Sequence, residues 1–144
     1  MTVICWDGHT LAADKRAGTD LPRTVTKIRR TASGALIGCT GTACGDQELM
    51  AWYEQGADPA KFPEMHRDNA KSSHLIAIEP GGIIRMYMDS PFGCVIEDKF
   101  HAIGSGRDFA MAAMYLGRNA ATAVACAIAL SATCGNGVDT LEFA

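Results

Sequence analysis

Three turn signals, each lying between two apolar runs, constrain the fold of this 144-residue chain most strongly. The turns are Asp7-Gly8, Ala32-Ser33-Gly34 and Pro80-Gly81-Gly82. The flanking runs are 2–6 and 9–13, then 24–30 and 35–40, then 74–79 and 83–88. Glycine and the small polar residues of these turns accept the backbone angles that a tight hairpin requires. The sequence therefore predicts three β-hairpins, with the N-terminal residues inside a sheet.

Helical patterns separate these strands. Apolar residues recur at helical spacing in 46–55, and Gly56 then provides a stop. Two further helices are predicted over 107–116 and 120–132, and two further strands over 99–103 and 138–143. The order of strands, helix, strands, two helices and strand predicts an α+β architecture of packed antiparallel sheets flanked by helices.

The segment 57–73 differs from the rest of the chain because it is polar and contains proline. We expect at most a turn or two of helix there, around 64–71. It does not resemble a linker between domains, so the whole chain, residues 2–144, is interpreted as a single domain.

Composition excludes several classes of function. A formal net charge of −3 offers no basic excess for nucleic acid or an anionic membrane surface. No run of 18 apolar residues and no secretory signal is present, so we predict a cytoplasmic protein. The six cysteines form no CxxC pair and do not cluster with histidine, so we expect free thiols, no metal site and no cofactor.

Thr2 is the first candidate for chemistry. Its small side chain generally permits removal of Met1, which would leave an α-amine beside a hydroxyl. An α-amine with a pKa near about 8 can accept the hydroxyl proton, so a single residue supplies both nucleophile and base. Threonine at position 2 is also common in chains without this chemistry, so the hypothesis needs support from other residues.

Three runs near the N-terminus supply that support. They are Thr2-Val3-Ile4, Thr10-Leu11-Ala12-Ala13-Asp14 and Thr24-Val25-Thr26-Lys27-Ile28-Arg29-Arg30. In order and spacing they resemble the opening of proteasome β subunits and of the bacterial HslV peptidase. The resemblance implies that Asp14 and Lys27 support Thr2: the lysine lowers the pKa of the hydroxyl and the amine, and the aspartate holds the lysine. The alternative is a surface ion pair.

Two glycine-containing segments resemble the family's substrate site. Gly38-Cys39-Thr40-Gly41 is similar to the strand end that carries the primary specificity pocket, which implies a pocket role for Cys39. The amide of Gly41 would then serve as the oxyanion hole, or the glycine simply forms a strand-to-helix turn. Gly18-Thr19 stands where the family has a threonine or serine whose backbone pairs with substrate, so Gly18 is a candidate for substrate binding.

The C-terminal part of the chain both matches and departs from the family. Gly104-Ser105-Gly106 resembles a turn whose serine hydrogen-bonds near the threonine amine, although Ser105 could instead cap the helix 107–116. Where proteasome subunits carry a serine preceded three residues earlier by an aspartate, this chain has Cys134 and Ser131. The segment 57–73 leaves room for only a remnant of the family's second helix.

The resemblance implies a four-layer αββα sandwich of the N-terminal-nucleophile (Ntn) hydrolase type and a threonine peptidase acting through Thr2. It also implies a peptide or unfolded protein as substrate and a homo-oligomeric ring, with an ATP-dependent unfoldase as partner by analogy. With no propeptide, only aminopeptidase trimming would be required. Two alternatives remain open: a catalytically silent assembly subunit, and an Ntn amidase that acts on a small amide.

Overall fold

A computed structural model describes residues 2–18, 20–64 and 73–143. In chain order its strands are β1 (Ile4–Trp6), β2 (Thr10–Asp14), β3 (Arg16–Ala17), β4 (Arg23–Thr24), β5 (Ile28–Arg30), β6 (Leu36–Gly41), β7 (Ser73–Glu79), β8 (Ile83–Met88), β9 (Cys94–Ile96), β10 (His101–Ile103) and β11 (Val138–Glu142). The helices are α1 (Ala43–Glu54), α2 (Arg107–Tyr115) and α3 (Ala120–Leu130), with a 3-10 turn at Pro59–Lys61. Within the described ranges, no helix is both long and apolar enough to cross a membrane.

The strands form two main antiparallel sheets. One has four strands in the order β10-β1-β2-β11, and the other has five strands in the order β5-β6-β7-β8-β9. Strand β1 occupies the middle of the four-stranded sheet, where Ile4 pairs with both Ala13 and Ile103. The residue that precedes β1 is therefore held between neighbouring strands.

The alternation of side chains along each strand explains the layers. Side chains from one face of each sheet meet in a common core, which includes Ile4, Trp6 and Leu11 from the first sheet and Leu36, Ile76 and Ile78 from the second. The opposite face of the first sheet, with Val3, Cys5 and Ala12, packs against α2 and α3. The opposite face of the second sheet, with Ile37, Cys39 and Leu75, packs against α1. The layers are thus helix, sheet, sheet and helix.

This arrangement confirms the predicted α+β fold and corrects parts of it. The hairpins β1-β2 and β7-β8 form as predicted. The run 24–30 does not form one strand, because β4 pairs with β3 while β5 pairs with β6. Residues 25–27 lie between them, so Lys27 precedes a strand rather than lying inside one.

Other boundaries differ by a few residues. Helix α1 begins at Ala43 instead of 46, because Ala43, Cys44 and Gly45 continue the helix without contributing apolar periodicity. The edge strand β9 was not predicted, since three residues are too few to show alternation. The helical turn predicted around 64–71 lies, apart from Glu64, outside the described residues. All six cysteines are free thiols, as expected.

Candidate active site

Thr2 lies two residues before β1 and is almost entirely buried, with 5% of its surface exposed. Its carbonyl oxygen accepts a hydrogen bond from the backbone nitrogen of Gly106 at 3.1 Å. Gly104 passes so close that a Cβ atom there would lie 2.1 Å from the same oxygen. Gly104 also has a φ of +97°, a region that favours glycine. The chain thus fixes the backbone of Thr2 through the turn between β10 and α2.

Asp14 ends β2 and is completely buried. Its Oδ1 accepts hydrogen bonds from the Val3 amide at 3.1 Å and from Nζ of Lys27 at 2.7 Å. Its Oδ2 accepts from the Gly135 amide at 3.0 Å and from the Arg16 amide at 3.4 Å. A buried carboxylate requires such partners, and these four compensate its desolvation.

Lys27 connects Asp14 to Thr2. Its ammonium donates to Asp14 and also, at 3.0 Å, to the hydroxyl oxygen of Thr2. The lysine is 8% exposed. The alternative of a surface ion pair is therefore wrong: this pair is buried, and it places a positive charge against the Thr2 hydroxyl.

Ser105 lies on the other side of Thr2. Its hydroxyl accepts a hydrogen bond from the Thr2 nitrogen at 3.1 Å. In the full chain this nitrogen belongs to the peptide bond with Met1, and removal of Met1 would convert it to the α-amine. The alternative that Ser105 caps the helix is wrong, because Gly106 occupies the N-cap position of α2 and no side chain caps it.

Ser105 belongs to a row of three hydroxyls. Its Oγ lies 3.0 Å from Oγ1 of Thr133, which in turn lies 2.9 Å from Oγ of Ser131. The family resemblance had pointed to Cys134 and Ser131 at this place, and Ser131 does lie in the row. Cys134 instead packs into the core under α2 and α3, while its neighbour Thr133 reaches Ser105. The residue type at 133 carried no signal, because an irregular loop has no periodicity that shows which side chain points to the site.

A cavity of about 210 Å³ opens beside Thr2. The structure brings the three predicted substrate-site residues Gly18, Cys39 and Gly41 to its wall together with Thr2 and Lys27. Thr19 lies outside the described residues. Burial, and secondarily the charge of Asp46, raise the pKa of the Cys39 thiol well above its ordinary value. Cys39 therefore stays a neutral thiol and does not compete with Thr2 as a nucleophile.

Asp46 is a cavity residue that the sequence did not reveal. It lies in the first turn of α1, and its Oδ1 accepts a hydrogen bond from the Ser73 hydroxyl at 2.7 Å. Burial raises the pKa of Asp46 to about 6, although the Ser73 hydrogen bond and the charge of Lys27 act in the opposite direction. The only sequence signal was its place five residues after Gly41, at the start of a helix.

The described residues contain no group of three or more histidine, cysteine or acidic side chains that could hold a metal ion. The candidate site consists instead of a hydroxyl, an ammonium, a carboxylate and a row of further hydroxyls around one backbone nitrogen. Such an arrangement can lower the pKa of a hydroxyl and hold a nitrogen base beside it.

Helices on both outer faces of two packed antiparallel sheets, with a threonine ahead of the first central strand, define the four-layer αββα fold of the Ntn-hydrolase type. No protein-family model and no curated protein matches the chain in sequence. Solved structures do match. HslV from the eukaryote Trypanosoma brucei has a TM-score of 0.71 at 19% identity, covering 97% of both chains.

A second similar protein is BPH from Thiobacillus denitrificans. Its structure in complex with epoxomicin has a TM-score of 0.69 at 16% identity, covering 99% of this chain and 98% of that one. A further BPH structure has a TM-score of 0.68 at 18% identity, covering 100% and 99%. Similarity over whole chains at this level of identity shows a shared fold. The resemblance found in the sequence is thereby confirmed at the level of the fold.

Proposed function

We propose that this protein is a threonine peptidase of the proteasome and HslV type, with Oγ1 of Thr2 as the nucleophile once Met1 is removed. One observation carries the proposal: the buried ammonium of Lys27 contacts both Asp14 and the Thr2 hydroxyl, at 2.7 and 3.0 Å. A hydroxyl held against a cation has a lowered pKa and is a better nucleophile.

The α-amine of Thr2 is the base in this mechanism. It takes the proton from Oγ1, directly or through a water, while the hydrogen bond between the Thr2 nitrogen and Ser105 keeps the amine in place. Lys27 stabilises the alkoxide character that develops on Oγ1. Asp14 acts through Lys27 as a positioning residue.

Bond changes follow from this arrangement. Oγ1 attacks a peptide carbonyl, and the amide of Gly41 stabilises the resulting oxyanion. The peptide C–N bond breaks, the leaving nitrogen takes the proton from the α-amine, and an ester joins the acyl group to Thr2. Water then attacks this ester, passes a proton back through the amine, and releases a carboxylic acid with Oγ1 regenerated. The backbone of Gly18 borders the cavity and would pair with the substrate chain.

The wider setting is proposed from the resemblance and the fold. We place residues 2–144 in one domain, with a peptide or unfolded protein as substrate and a homo-oligomeric ring as the assembled form. The surface of α2 and α3 supports assembly, because it carries two large apolar residues that face solvent. Tyr115 is 81% exposed and Leu116 is 76% exposed. A cytoplasmic location and, by analogy with HslV, an ATP-dependent unfoldase partner complete the proposal.

The test is intact mass spectrometry of the protein made in bacteria, before and after treatment with a peptide epoxyketone. This reagent reacts with both the free amine and the hydroxyl of an N-terminal threonine. We expect loss of Met1 and one adduct, located at Thr2 by peptide mapping. The matched control is Thr2→Ala, which should also lose Met1 because alanine is small, and which should form no adduct.

Retention of Met1 without an adduct would contradict the proposal and favour the catalytically silent assembly subunit. An adduct at Thr2 without cleavage of any unfolded protein or peptide would favour the amidase alternative, because the nucleophile would then be competent while peptides were not its substrate.

A further inference from the structure

The cavity beside Thr2 has two chemically different walls. One wall comes from β6 and α1 and contains Cys39, Met50 and Asp46. The other comes from β3 and the residues before β5 and contains Arg16 and Thr26. At about 210 Å³ the cavity is smaller than the roughly 300–1,000 Å³ of pockets for drug-sized ligands. It therefore suits a single side chain of a longer substrate.

Asp46 is held in place in its wall. Its Oδ1 accepts from Ser73, a fully buried residue whose hydroxyl also lies 3.3 Å from the Thr42 carbonyl oxygen. The N-terminal end of α1 adds a favourable electrostatic field for an anion. Among the described residues, no cation forms an ion pair with Asp46. The cavity thus presents a fixed carboxylate whose charge is compensated only in part.

The family resemblance implies that this cavity is the primary specificity pocket, and we propose that Asp46 makes the enzyme select lysine or arginine there, as the substrate side chain next to the cleaved bond on its acyl side. This inference rests on the proposed function of Thr2. The acyl carbon bonds to Oγ1 of Thr2, so the side chain of the residue that supplies this carbon lies nearest to the cavity. Asp46 is then a specificity-determining residue and takes no part in the bond changes.

The α1 wall fits a side chain with an apolar stem and a cationic end. Met50 and Cys39 offer apolar surface to the methylene groups, and Asp46, which lines the same cavity, would pair with the charge. Arg16 lies on the opposite wall, where its side chain runs past Gly135. An acidic substrate side chain would meet Arg16 instead, so a preference for glutamate is the competing outcome.

Protonation of Asp46 gives the selectivity a defined pH dependence. Burial raises the pKa of this carboxyl to about 6, so it is mostly ionised at pH 7.5 and mostly neutral at pH 4.5. The other charged groups that face the cavity are Lys27, Arg16 and, once Met1 is removed, the α-amine of Thr2. The preference for a cationic side chain is therefore present above about pH 6 and is lost as the pH falls through that value.

Binding of two short peptide amides tests the pocket without requiring catalysis. Acetyl-Ala-Ala-Lys-amide and acetyl-Ala-Ala-norleucine-amide differ in charge but have similar stems, and both can be titrated into the isotope-labelled protein by NMR. We expect the lysine peptide to bind about tenfold more tightly at pH 7.5, with equal binding at pH 4.5. Asp46→Asn keeps an acceptor for Ser73 and should abolish the difference. Glu48→Gln, an equal charge change on the exposed face of the same helix, should preserve it.

Cleavage supplies the second readout. Matched peptides with lysine, norleucine or glutamate before a fluorogenic amide should show a ratio of kcat/KM for lysine over norleucine of about ten or more. Asp46→Asn should bring the lysine over norleucine ratio close to one, whereas Glu48→Gln should preserve the ratio. Equal binding of the two amides, no detectable binding of the lysine peptide, or a preference for glutamate would overturn the inference. Absence of an epoxyketone adduct would instead count against the proposed function, while the binding ratio would still report on Asp46.

Discussion

The two sides of the candidate site stabilise Thr2 in different ways. The charged half, Asp14 and Lys27, is buried and joined by a hydrogen-bonded ion pair at 2.7 Å. The hydroxyl half, Ser105, Thr133 and Ser131, lies nearer the surface and consists of neutral groups that contact one another at 2.9–3.0 Å. The charged half contacts the Thr2 hydroxyl, and the hydroxyl half contacts the Thr2 nitrogen.

This difference has consequences for how each half tolerates change. A buried ion pair is stable only while it is complete, because either partner alone leaves a charge without compensation. Hydroxyls rotate, can donate or accept, and can be replaced by water near the surface. The hydroxyl half can therefore vary in residue type while keeping its contact to the Thr2 nitrogen. Here Ser131 stands where proteasome subunits carry an aspartate, and the contact between Ser105 and the Thr2 nitrogen still forms.

A substitution in the charged half should have the largest effect on both the stability of the protein and the reactivity of Thr2. Lys27→Met keeps the length of the side chain but leaves Asp14 buried without its cation. We expect the free energy of unfolding to fall by about 3–5 kcal/mol, measured by urea denaturation, and epoxyketone labelling of the folded protein to slow by about 10²- to 10³-fold.

A matched control exists in the neighbouring ion pair. Lys15 contacts Asp139 at 2.6 Å, but the side chains are 22% and 30% exposed. Lys15→Met should therefore cost no more than about 1 kcal/mol. If both lysine variants lost the same stability, the contrast between a buried and a partly exposed pair would not hold.

The same contrast explains what could be predicted from the sequence. Asp14 ends a strand and Lys27 immediately precedes one. Because the two strands fix where these residues lie, the spacing of the sequence motif was enough to predict that both belong to the site. Thr133 lies in an irregular loop whose path depends on Asn136 and Gly137, both with positive φ angles. Neither periodicity nor spacing specifies which of the residues 131–134 faces Ser105. The row of hydroxyls therefore became visible only in three dimensions.

Strands were also predicted correctly where the local sequence determines them and wrongly where tertiary contacts do. Apolar runs beside turn signals predicted β1, β2, β7 and β8, whereas the break within 24–30 was missed because Thr24, Val25, Thr26 and Ile28 are good strand formers. Tertiary pairing determined the outcome there: β4 extends the short ribbon with β3, and β5 joins the five-stranded sheet. Helix α1 was predicted too short since its first residues are small and give no periodic signal.

A substitution in the turn that positions Ser105 should have an intermediate effect on stability and on the rate of epoxyketone labelling. Gly104→Ala introduces a Cβ that would lie 2.1 Å from the Thr2 carbonyl oxygen, so the backbone of one of the two residues must move. Gly117→Ala is the matched control: its φ of +85° is similar to the +97° of Gly104, but nothing lies within 4 Å of the added carbon. The control should cost about 1–2 kcal/mol of stability from backbone strain alone. Gly104→Ala should cost more and slow labelling by about 10- to 100-fold, because Thr2 is displaced. Equal labelling rates in the two variants would show that the position of Ser105 does not matter.

The smallest effect should come from the hydroxyl half itself. Thr133→Val removes the hydroxyl at constant shape and leaves Ser105 free to rotate away from the Thr2 nitrogen. Loss of one hydrogen bond of about 0.5–1.5 kcal/mol predicts labelling that is about two- to tenfold slower, and Thr133→Ser should restore the rate.

Cys134→Ala separates this role from general packing at the same loop. Cys134 is buried, and its Sγ lies 2.8 Å from where a Cβ on Gly106 would be, so the variant should lower stability through a small cavity. It should leave the labelling rate unchanged, because the thiol does not contact Ser105. Slower labelling of Cys134→Ala together with an unchanged labelling rate of Thr133→Val would contradict this assignment. The thiol of Cys134, and not the hydroxyl of Thr133, would then position Ser105.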